Sequence, residues 1–342
     1  MYPDSKEDLI MKNFRTTFQF KQCVKKVAHS SKVITIGSCF SEVIGERLLL
    51  GKFNGLINPF GTIFNPISIF RLLEYSLESR PLDKEMYLNR HDNFFHYQLH
   101  SSFNGMSKNE LAQKTELVQL VTKDKLQSAT HLFITLGTAF VYQLLKNEEI
   151  VANCHKQPQK HFTKRMLGLG EMMEAYQVFH QKLKKINPDI QVALTISPVR
   201  HTKDGIPENQ LSKSILRVFC DQIIRLNPEM YYFPAYEIMM DDLRDYRFYK
   251  DDMIHPNSMA EEYIWEEFQG SFFNDGTKEL IQHINQIHRN LNHRPFNPNS
   301  KAHYQFLSKL QELISLMPPV LDFSKEKNSI SEQLSQIENY LE

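Results

Sequence analysis

The stretch KVITIGSCF, residues 32–40, joins a strand pattern to a helix pattern through a glycine. Its first five residues are mostly apolar and β-branched, which predicts a short buried strand. Apolar residues then recur at helical spacing over residues 41–50. Gly37, Ser38 and Cys39 are therefore expected in a strand-to-helix turn. At such a turn, free N–H groups and the positive end of the helix dipole favour an anion.

The strand–helix alternation continues along the chain. Buried strands are predicted at residues 131–136 and 190–196, and a fourth, short strand at residues 230–233. Helices are predicted at residues 67–77, 109–128, 167–186, 210–226 and 260–273. Shorter strands are predicted at residues 16–20, 140–145 and 149–152, an insertion at 80–110 and a loop at 153–164. Strands that alternate with helices predict a parallel sheet with helices on both faces.

The last part of the chain has a different pattern. Residues 276–342 contain no convincing strand, and helices are predicted at 278–290, 302–316 and 329–341. We therefore divide the chain into an α/β domain, residues 1–275, and a helical extension, residues 276–342. The extension is expected to pack on the α/β domain or on a second subunit, which leaves a homo-oligomer through these helices open.

Composition excludes several classes of function. The 342 residues carry 40 basic and 40 acidic side chains, so no net field favours nucleic acid. Apolar runs are too short to span a membrane, and residues 1–18 lack an apolar signal core. The four cysteines are scattered without a CxxC pair, which favours a reducing cytoplasm, and no metal or organic cofactor is indicated.

The segment KDDMIHPNS, residues 250–258, places an acid three residues before a histidine. This spacing lets the side chains of Asp252 and His255 meet. A carboxylate beside an imidazole orients the ring and stabilises its protonated form, as a general base requires. The alternative is a surface turn that caps the following helix. The nucleophile for such a base would be Ser38 or Cys39; the alternative there is that Gly37 allows close packing and Ser38 caps the helix.

Together, these two segments resemble a known family. The motif Gly37-Ser38-Cys39-Phe40-Ser41 resembles that of the GSCFA family, with Ser41 in place of the final alanine, and a nucleophile after the first strand with a late DxxH resembles the SGNH (GDSL-like) hydrolases. The resemblance covers roughly residues 12–275. Its further segments are NPFGTIFNP, ITLGTAFVY, NCHKQP, TISPVRH, YFPAYEIMMDDLRDYRFY and DDMIHPN. It implies a three-layer α/β/α sandwich and a hydrolase acting on esters.

The resemblance also implies roles for individual residues. Asp252 and His255 match the acid and base of DxxH. When the Gly-Asp-Ser motif of these hydrolases is aligned on Gly37, the position of its nucleophile falls on Cys39. A small shift of the turn would place Ser38 there instead. The Gly61 N–H matches an oxyanion donor. The usual asparagine of the third block is replaced by Ala139. The side chain of Thr138 or Asn153 would then have to replace that donor.

Two polar residues directly follow the third predicted strand. Because ligands bind at the carboxyl ends of parallel strands, Arg200 and His201 are expected to recognise an anionic or polar substrate group; the alternative is an ion pair with Glu237, Asp241 or Asp242. The predicted function is hydrolysis of an acyl ester on a small polar molecule or glycan. The alternatives are an inactive binding protein on the same fold and an acyltransferase. A hydrogen bond from His255 Nε2 to Cys39 or Ser38 would distinguish the enzyme from the binding protein.

Overall fold

The structure is a computed structural model that describes residues 21–341. The strand predicted at residues 16–20 lies outside the described residues. Five parallel strands form the central sheet, in the order β10-β9-β5-β1-β2. They are β1 Lys32–Gly37, β2 Asn54–Ile57, β5 His131–Leu136, β9 Gln191–Ile196 and β10 Tyr231–Phe233. Numbered along the chain, the five strands have the order 2-1-3-4-5 of flavodoxin-like sheets.

Helices cover both faces of this sheet. The helices are α1 Cys39–Leu50, α2 Pro66–Glu78, α3 Lys108–Ser128, α4 Leu169–Ile186, α5 Ile206–Leu226, α6 Ala235–Glu237, α7 Ser258–Phe272, α8 Asp275–Asn292, α9 Lys301–Ser315 and α10 Ser324–Leu341. Ile34 and Ile36 of β1 pack in a core with α2, α4 and α5, whereas Val33 packs in a second core with α1 and α7. Since neighbouring residues of a strand point to opposite faces, these two cores define a three-layer α/β/α sandwich, as predicted.

The last three helices form a third core of their own. Its buried side chains include Ile284 and Ile287 of α8, Leu307 and Leu310 of α9, and Ile330 of α10. One turn earlier on α8, Ile281 packs in the core of α1 and α7 instead. Helix α8 therefore contributes to both cores, and the division of the chain at residue 275 stays a prediction.

Several short strands were not predicted. The missed elements are the edge strand β2, the hairpin of β3 Tyr87–Arg90 and β4 Asn93–His96 within the predicted insertion, and β8 Phe162–Met166. Strand β8 overlaps the predicted loop and pairs with β6 Phe140–Leu144, which also pairs with β7 Ile150–Val151. These strands are short and mostly half-buried, so their sequences lack the continuous apolar run of a central strand.

Two features of the described chain bear on its surroundings. Within residues 21–341 no helix combines the length and apolar character that a membrane crossing needs. The thiols of Cys23, Cys39, Cys154 and Cys220 are all free. The cytoplasmic location stays a prediction.

Candidate active site

The turn after β1 is held against the end of β5. Gly37 has a φ of +135°, and a Cβ at this position would lie 2.0 Å from the carbonyl oxygen of Thr135, so only glycine fits. The Ser38 N–H donates to the same oxygen at 3.0 Å. On the other side, the Gly37 N–H donates to Oδ1 of Asn58 at 2.9 Å. The turn is therefore fixed between β1, β5 and the segment after β2.

The two candidate nucleophiles have different environments. Ser38 is fully buried, and its Oγ has no hydrogen-bond partner in the described part of the chain. It occupies the N-cap position of α1, but its side chain does not cap the helix. Cys39, the first residue of α1, is only partly buried. The side chain with access to a substrate is thus the thiol of Cys39.

The thiol of Cys39 is protonated at neutral pH. Burial raises its pKa above the ordinary value, although the N–H groups of Phe40 and of Cys39 itself and the charge of Lys213 act in the opposite direction. A thiol that attacks as a thiolate must lose this proton, so Cys39 needs a general base.

The acid and the imidazole of DxxH meet as the spacing predicted. Nδ1 of His255 lies 2.7 Å from Oδ2 of Asp252. The other carboxylate oxygen accepts the N–H groups of Ile254 and His255, each at 2.9 Å. The backbone and side-chain bonds from His255, with the Ile254 N–H, lower the pKa of Asp252 to about 2. Asp252 is therefore ionised at neutral pH and fixes the ring through Nδ1, which leaves Nε2 for chemistry.

The DxxH segment is attached to neighbouring elements on both sides. Tyr249 and Pro256 form an antiparallel bridge, and the N–H of Arg200, after β9, donates to Ile254 O at 3.2 Å. Asn257 caps α7, since its Oδ1 accepts the Ala260 N–H at 3.1 Å. Asn257 thus caps α7, and Asp252 orients the imidazole of His255. One segment performs both roles with different residues.

Arg200 pairs with aromatic rings. Its guanidinium carbon lies 4.1 Å from the ring centre of Tyr249 and 5.4 Å from that of Tyr246. Within residues 21–341 it makes no salt bridge; among the acids named as alternatives, Asp241 pairs with Arg244 and Glu237 with Arg217. The guanidinium therefore keeps hydrogen-bonding capacity beside the DxxH segment.

His201 is held differently from Arg200. Its ring packs edge-on against Phe64 at 5.3 Å, and its Nε2 is buried without a partner among the described residues. Burial first, and the charge of Lys213 second, lower the pKa of His201 to about 3. His201 is therefore neutral at physiological pH, so any contact it makes with a substrate would be a hydrogen bond without a charge.

All three residues predicted to supply oxyanion donors already make hydrogen bonds, two of them through the predicted donor group. The Gly61 N–H donates to Asn58 O at 2.7 Å, and Oγ1 of Thr138 is 3.0 Å from Oγ of Ser212. Oδ1 of Asn153 accepts the His155 N–H at 2.8 Å, in the loop between β7 and β8. All three roles stay predictions. The Gly61 N–H would have to leave Asn58 O, whereas the contact of Asn153 uses its acceptor oxygen and not its Nδ2 donor.

One residue of the site was missed. Lys213 of α5 is 1% exposed, and its Nζ donates at 2.8 Å to both Gly137 O and Ser197 O, at the carboxyl ends of β5 and β9. Its charge acts on both Cys39 and His201, and His201 in turn interacts electrostatically with His255. The bond from the Arg200 N–H to Ile254 O holds the DxxH segment near the carboxyl end of β9, and the Cys39 turn follows β1, so both lie at the carboxyl edge of the parallel sheet. The structure contains no hydrogen bond, within the described chain, from Nε2 of His255 to Ser38 or Cys39.

Comparison with family models gives two matches. The model of the GSCFA family matches residues 32–268, and that of the GSCFA domain protein, C-terminal domain, matches residues 284–336. The chain belongs to the GSCFA family. Its family motif is thus the strand-to-helix turn described above, with Ser41 as the departing residue.

Comparisons with curated proteins and with solved structures do not extend this family assignment. A search of curated proteins finds no match. Among solved structures, a carbohydrate esterase family 3 protein from Talaromyces cellulolyticus aligns with a TM-score of 0.34 and 10% identity, over 75% of this chain and 99% of that chain.

The open spaces of the GSCFA chain lie mostly away from this turn. A cleft of about 990 Å³ between α1, α7, α8 and α10 is lined by none of the predicted site residues. Within residues 21–341 no group of three or more His, Cys, Asp or Glu side chains is arranged to hold a metal ion. This cleft is therefore separate from the candidate site at the sheet edge.

Proposed function

We propose that this GSCFA chain is an SGNH-like hydrolase that cleaves acyl esters through a covalent intermediate on Cys39. The observation that carries the proposal is the contact of 2.7 Å between Asp252 and His255 Nδ1. It leaves Nε2 of a half-exposed ring to act as a base at the sheet edge that holds the Cys39 turn. This site has the three parts of nucleophilic catalysis: a nucleophile, a base and a group that orients the base.

The proposed reaction has two halves. His255 Nε2 takes the thiol proton as Cys39 Sγ attacks the ester carbonyl, and the oxyanion develops near the free N–H groups of the first turn of α1. The tetrahedral intermediate expels the alcohol, which receives the proton from His255, and leaves a thioester on Cys39. Water, deprotonated by His255, then attacks the thioester, and the acid leaves as Cys39 regains its proton.

The substrate class follows from the site only in outline. The guanidinium of Arg200 and the buried His201 ring favour a polar or anionic group next to the ester, which fits an acyl ester of a small polar molecule or glycan. Replacing water by a second alcohol would make the same site an acyltransferase. No step requires a cofactor or metal, and the reaction is proposed for the cytoplasm.

A non-catalytic binding protein is the second candidate. It is favoured by the missing hydrogen bond between His255 and Cys39 in the described chain, and by the Gly61 N–H, which already donates to Asn58. Loss of one oxyanion donor costs about 10²- to 10³-fold in rate, so under this alternative a site with two altered donors binds an ester without turning it over.

Covalent probes distinguish the two functions. Iodoacetamide and a fluorophosphonate are applied to wild type, Cys39→Ser, Ser38→Ala and His255→Ala, with exposed His283→Ala as the matched control. We expect alkylation of Cys39 that slows about tenfold or more in His255→Ala and is unchanged in His283→Ala. Cys154 serves as the internal reference thiol.

Hydrolysis of p-nitrophenyl acetate should follow the same pattern. A rate of Cys39 alkylation that is equal in wild type and His255→Ala, with no ester hydrolysis above the Cys39→Ser background, would reject the enzyme. Fluorophosphonate labelling of Ser38 would instead identify Ser38 as the nucleophile.

A further inference from the structure

Lys213 is a buried cation at the catalytic edge of the sheet. Its side chain extends from α5 and donates two hydrogen bonds of 2.8 Å, to Gly137 O and to Ser197 O. These carbonyls directly follow β5 and β9, which are neighbours in the sheet. Burying an ammonium costs free energy unless it is compensated, so a lysine held here at 1% exposure calls for a partner beyond two neutral carbonyls.

The two hydrogen bonds do not satisfy all the N–H donors of the Lys213 ammonium. A charged lysine has three N–H donors, and two are used. Within residues 21–341 no third acceptor bonds to Nζ. Burial lowers the pKa of Lys213 to about 7, and only the negative form of Cys39 acts in the opposite direction. The geometry supports this coupling, because Nζ bonds to Gly137 O just beyond Thr135, whose own carbonyl accepts the Ser38 N–H of the Cys39 turn. The charge on Lys213 is therefore expected to respond to the charge state of Cys39.

The other titratable groups that face Lys213 stay neutral. His201, in the loop after β9, has its pKa lowered to about 3, chiefly by burial. The ring of Tyr236, after β10, lies 5.5 Å from Nζ, and burial raises the pKa of its hydroxyl. Among the groups named here around the ammonium, the anion that can form is the Cys39 thiolate, once a base removes the thiol proton, or the oxyanion that the thiolate generates.

We propose that Lys213 is a positioning residue for Cys39, whose buried charge stabilises the anion formed at the Gly37-Ser38-Cys39 turn. In turnover it takes over the electrostatic role of the donor that Ala139 does not supply. Once the anion has formed, its negative charge raises the pKa of Lys213 and favours the ammonium, while His255 carries the proton of the thiol. The role in turnover rests on the proposed function, whereas the charge coupling between Lys213 and Cys39 does not.

The first test measures the pH dependence of Cys39 alkylation by iodoacetamide, resolved by peptide mass spectrometry. Lys213→Gln retains two N–H donors for the two carbonyls but has no charge. We expect its Cys39 profile to move about one pH unit upward, which is about tenfold slower alkylation at a fixed pH below the pKa. Lys164→Gln, a nearby half-buried lysine paired with Asp204, is the matched control and should leave the profile unchanged. The profile of Cys154 should be the same in all three proteins.

The second test does not require a variant of the buried lysine. The Cε–Hε signals of lysine-labelled protein are followed by NMR against pH in Cys39→Ala and Cys39→Asp. Because coupling between two sites is reciprocal, a fixed carboxylate at position 39 should raise the pKa of Lys213 by about one unit relative to Cys39→Ala.

The outcomes separate this proposal from the proposed function. An unchanged Cys39 profile in folded Lys213→Gln, or equal Lys213 pKa values in the two Cys39 variants, overturns the coupling even if the protein hydrolyses esters. A shifted profile in a protein without ester hydrolysis upholds the coupling and rejects only the hydrolase.

Discussion

At the scale of single residues, adjacent side chains of the GSCFA motif have unequal access to substrate. Ser38 has a buried hydroxyl without a partner in the described chain, and Cys39 is partly exposed. The packing of Gly37 on Thr135 fixes the direction of both side chains. The register that the resemblance implies and the burial in the structure both favour Cys39 over Ser38, and the role of nucleophile stays a prediction.

Ser41, the departure from the family motif, offers a test of local energetics. Its Oγ is buried and has no hydrogen-bond partner among the described residues, and it borders a cavity of about 20 Å³. A buried hydroxyl that is not paired costs about 1–3 kcal/mol. We expect Ser41→Ala to raise the free energy of unfolding in urea by about 1 kcal/mol.

The matched control is Ser76→Ala in α2. Ser76 is equally buried, but its hydroxyl donates to Leu72 O at 2.7 Å, so its removal should leave stability unchanged or lower it. If Ser41→Ala is destabilising instead, the hydroxyl must bind a water molecule in the adjoining cavity.

The residues of the site were predictable to different degrees. Asp252 and His255 form a local pair, so their spacing along the chain sufficed. Lys213 depends on contacts with β5 and β9, which are distant in sequence. A signal did exist: Lys213 falls on the buried face of α5 with Asn209, Leu216 and Cys220, at positions where an amphipathic helix should be apolar.

At the scale of elements, a partly buried ion pair connects α10 to the segment between α1 and β2. Lys52, between α1 and β2, lies 2.6 Å from Glu326, whose carboxylate also contacts His288 of α8 at 3.3 Å. Burial alone would raise the pKa of Glu326, but the bonds from Lys52 and His288 outweigh it, and the pKa is lowered. The contact therefore stabilises the fold most when Glu326 is ionised.

Glu326→Gln should reveal this contribution through its pH dependence. We expect a loss of about 2 kcal/mol in the free energy of unfolding at pH 7, because Lys52 loses its counter-charge. Since the folded pKa lies below the unfolded value of about 4.3, the stabilisation is present above that pH and disappears as pH falls below it. Wild type and variant should therefore converge in urea unfolding between about pH 5 and pH 3.

Exposed Glu332 on the same helix supplies the control. Glu332→Gln should change stability by less than about 0.5 kcal/mol at either pH. A Glu326→Gln deficit that is constant from pH 7 to pH 3 would show that the loss comes from packing and not from the charge.

The strands that are buried along their length were predicted from the sequence, whereas half-buried strands were missed. Strands β1, β5 and β9 are buried along nearly their whole length, and their apolar runs were evident in the sequence. Strand β2 is half-buried at the sheet edge, and β8 lies in a small separate sheet, so neither carries such a run. What the sequence could not supply is which strands pair, because pairing depends on contacts between distant segments.

At the scale of the whole molecule, the strand order explains where the site forms. The chain leaves β1 toward β2 on one side and later returns to β5 on the other, so the order reverses between β1 and β5. Ligands of open α/β sheets bind at this switch point, outside the carboxyl ends of the strands. Alternation of strands and helices predicted the parallel sheet, and the structure adds that the Cys39 turn lies at its switch point.

The helical extension can be tested by truncation at two positions. A chain that ends at Asn274 loses the cover that Ile281 provides to the core of α1 and α7 and the ion pair of Lys52 with Glu326. A chain that ends at Asn292 retains α8 with Ile284 and Ile287 uncovered. We expect the shorter chain to be a folded monomer and the longer one to self-associate, because its exposed apolar stripe has lost α9 and α10.

The fluorescence of the single tryptophan measures the unfolding free energies of the truncated and full chains. Trp265 is buried in the core of α1 and α7 and stacks on Phe268 at 5.4 Å, so its fluorescence reports unfolding of the α/β domain. In urea, the chain ending at Asn274 should give one cooperative transition, lower in free energy than the full chain by about 2–4 kcal/mol for the lost cover and ion pair. Size-exclusion chromatography gives the association state. If the shorter chain is unfolded and the longer one is a stable monomer, α8 belongs to the α/β domain, and the boundary lies after Asn292 instead of at residue 275.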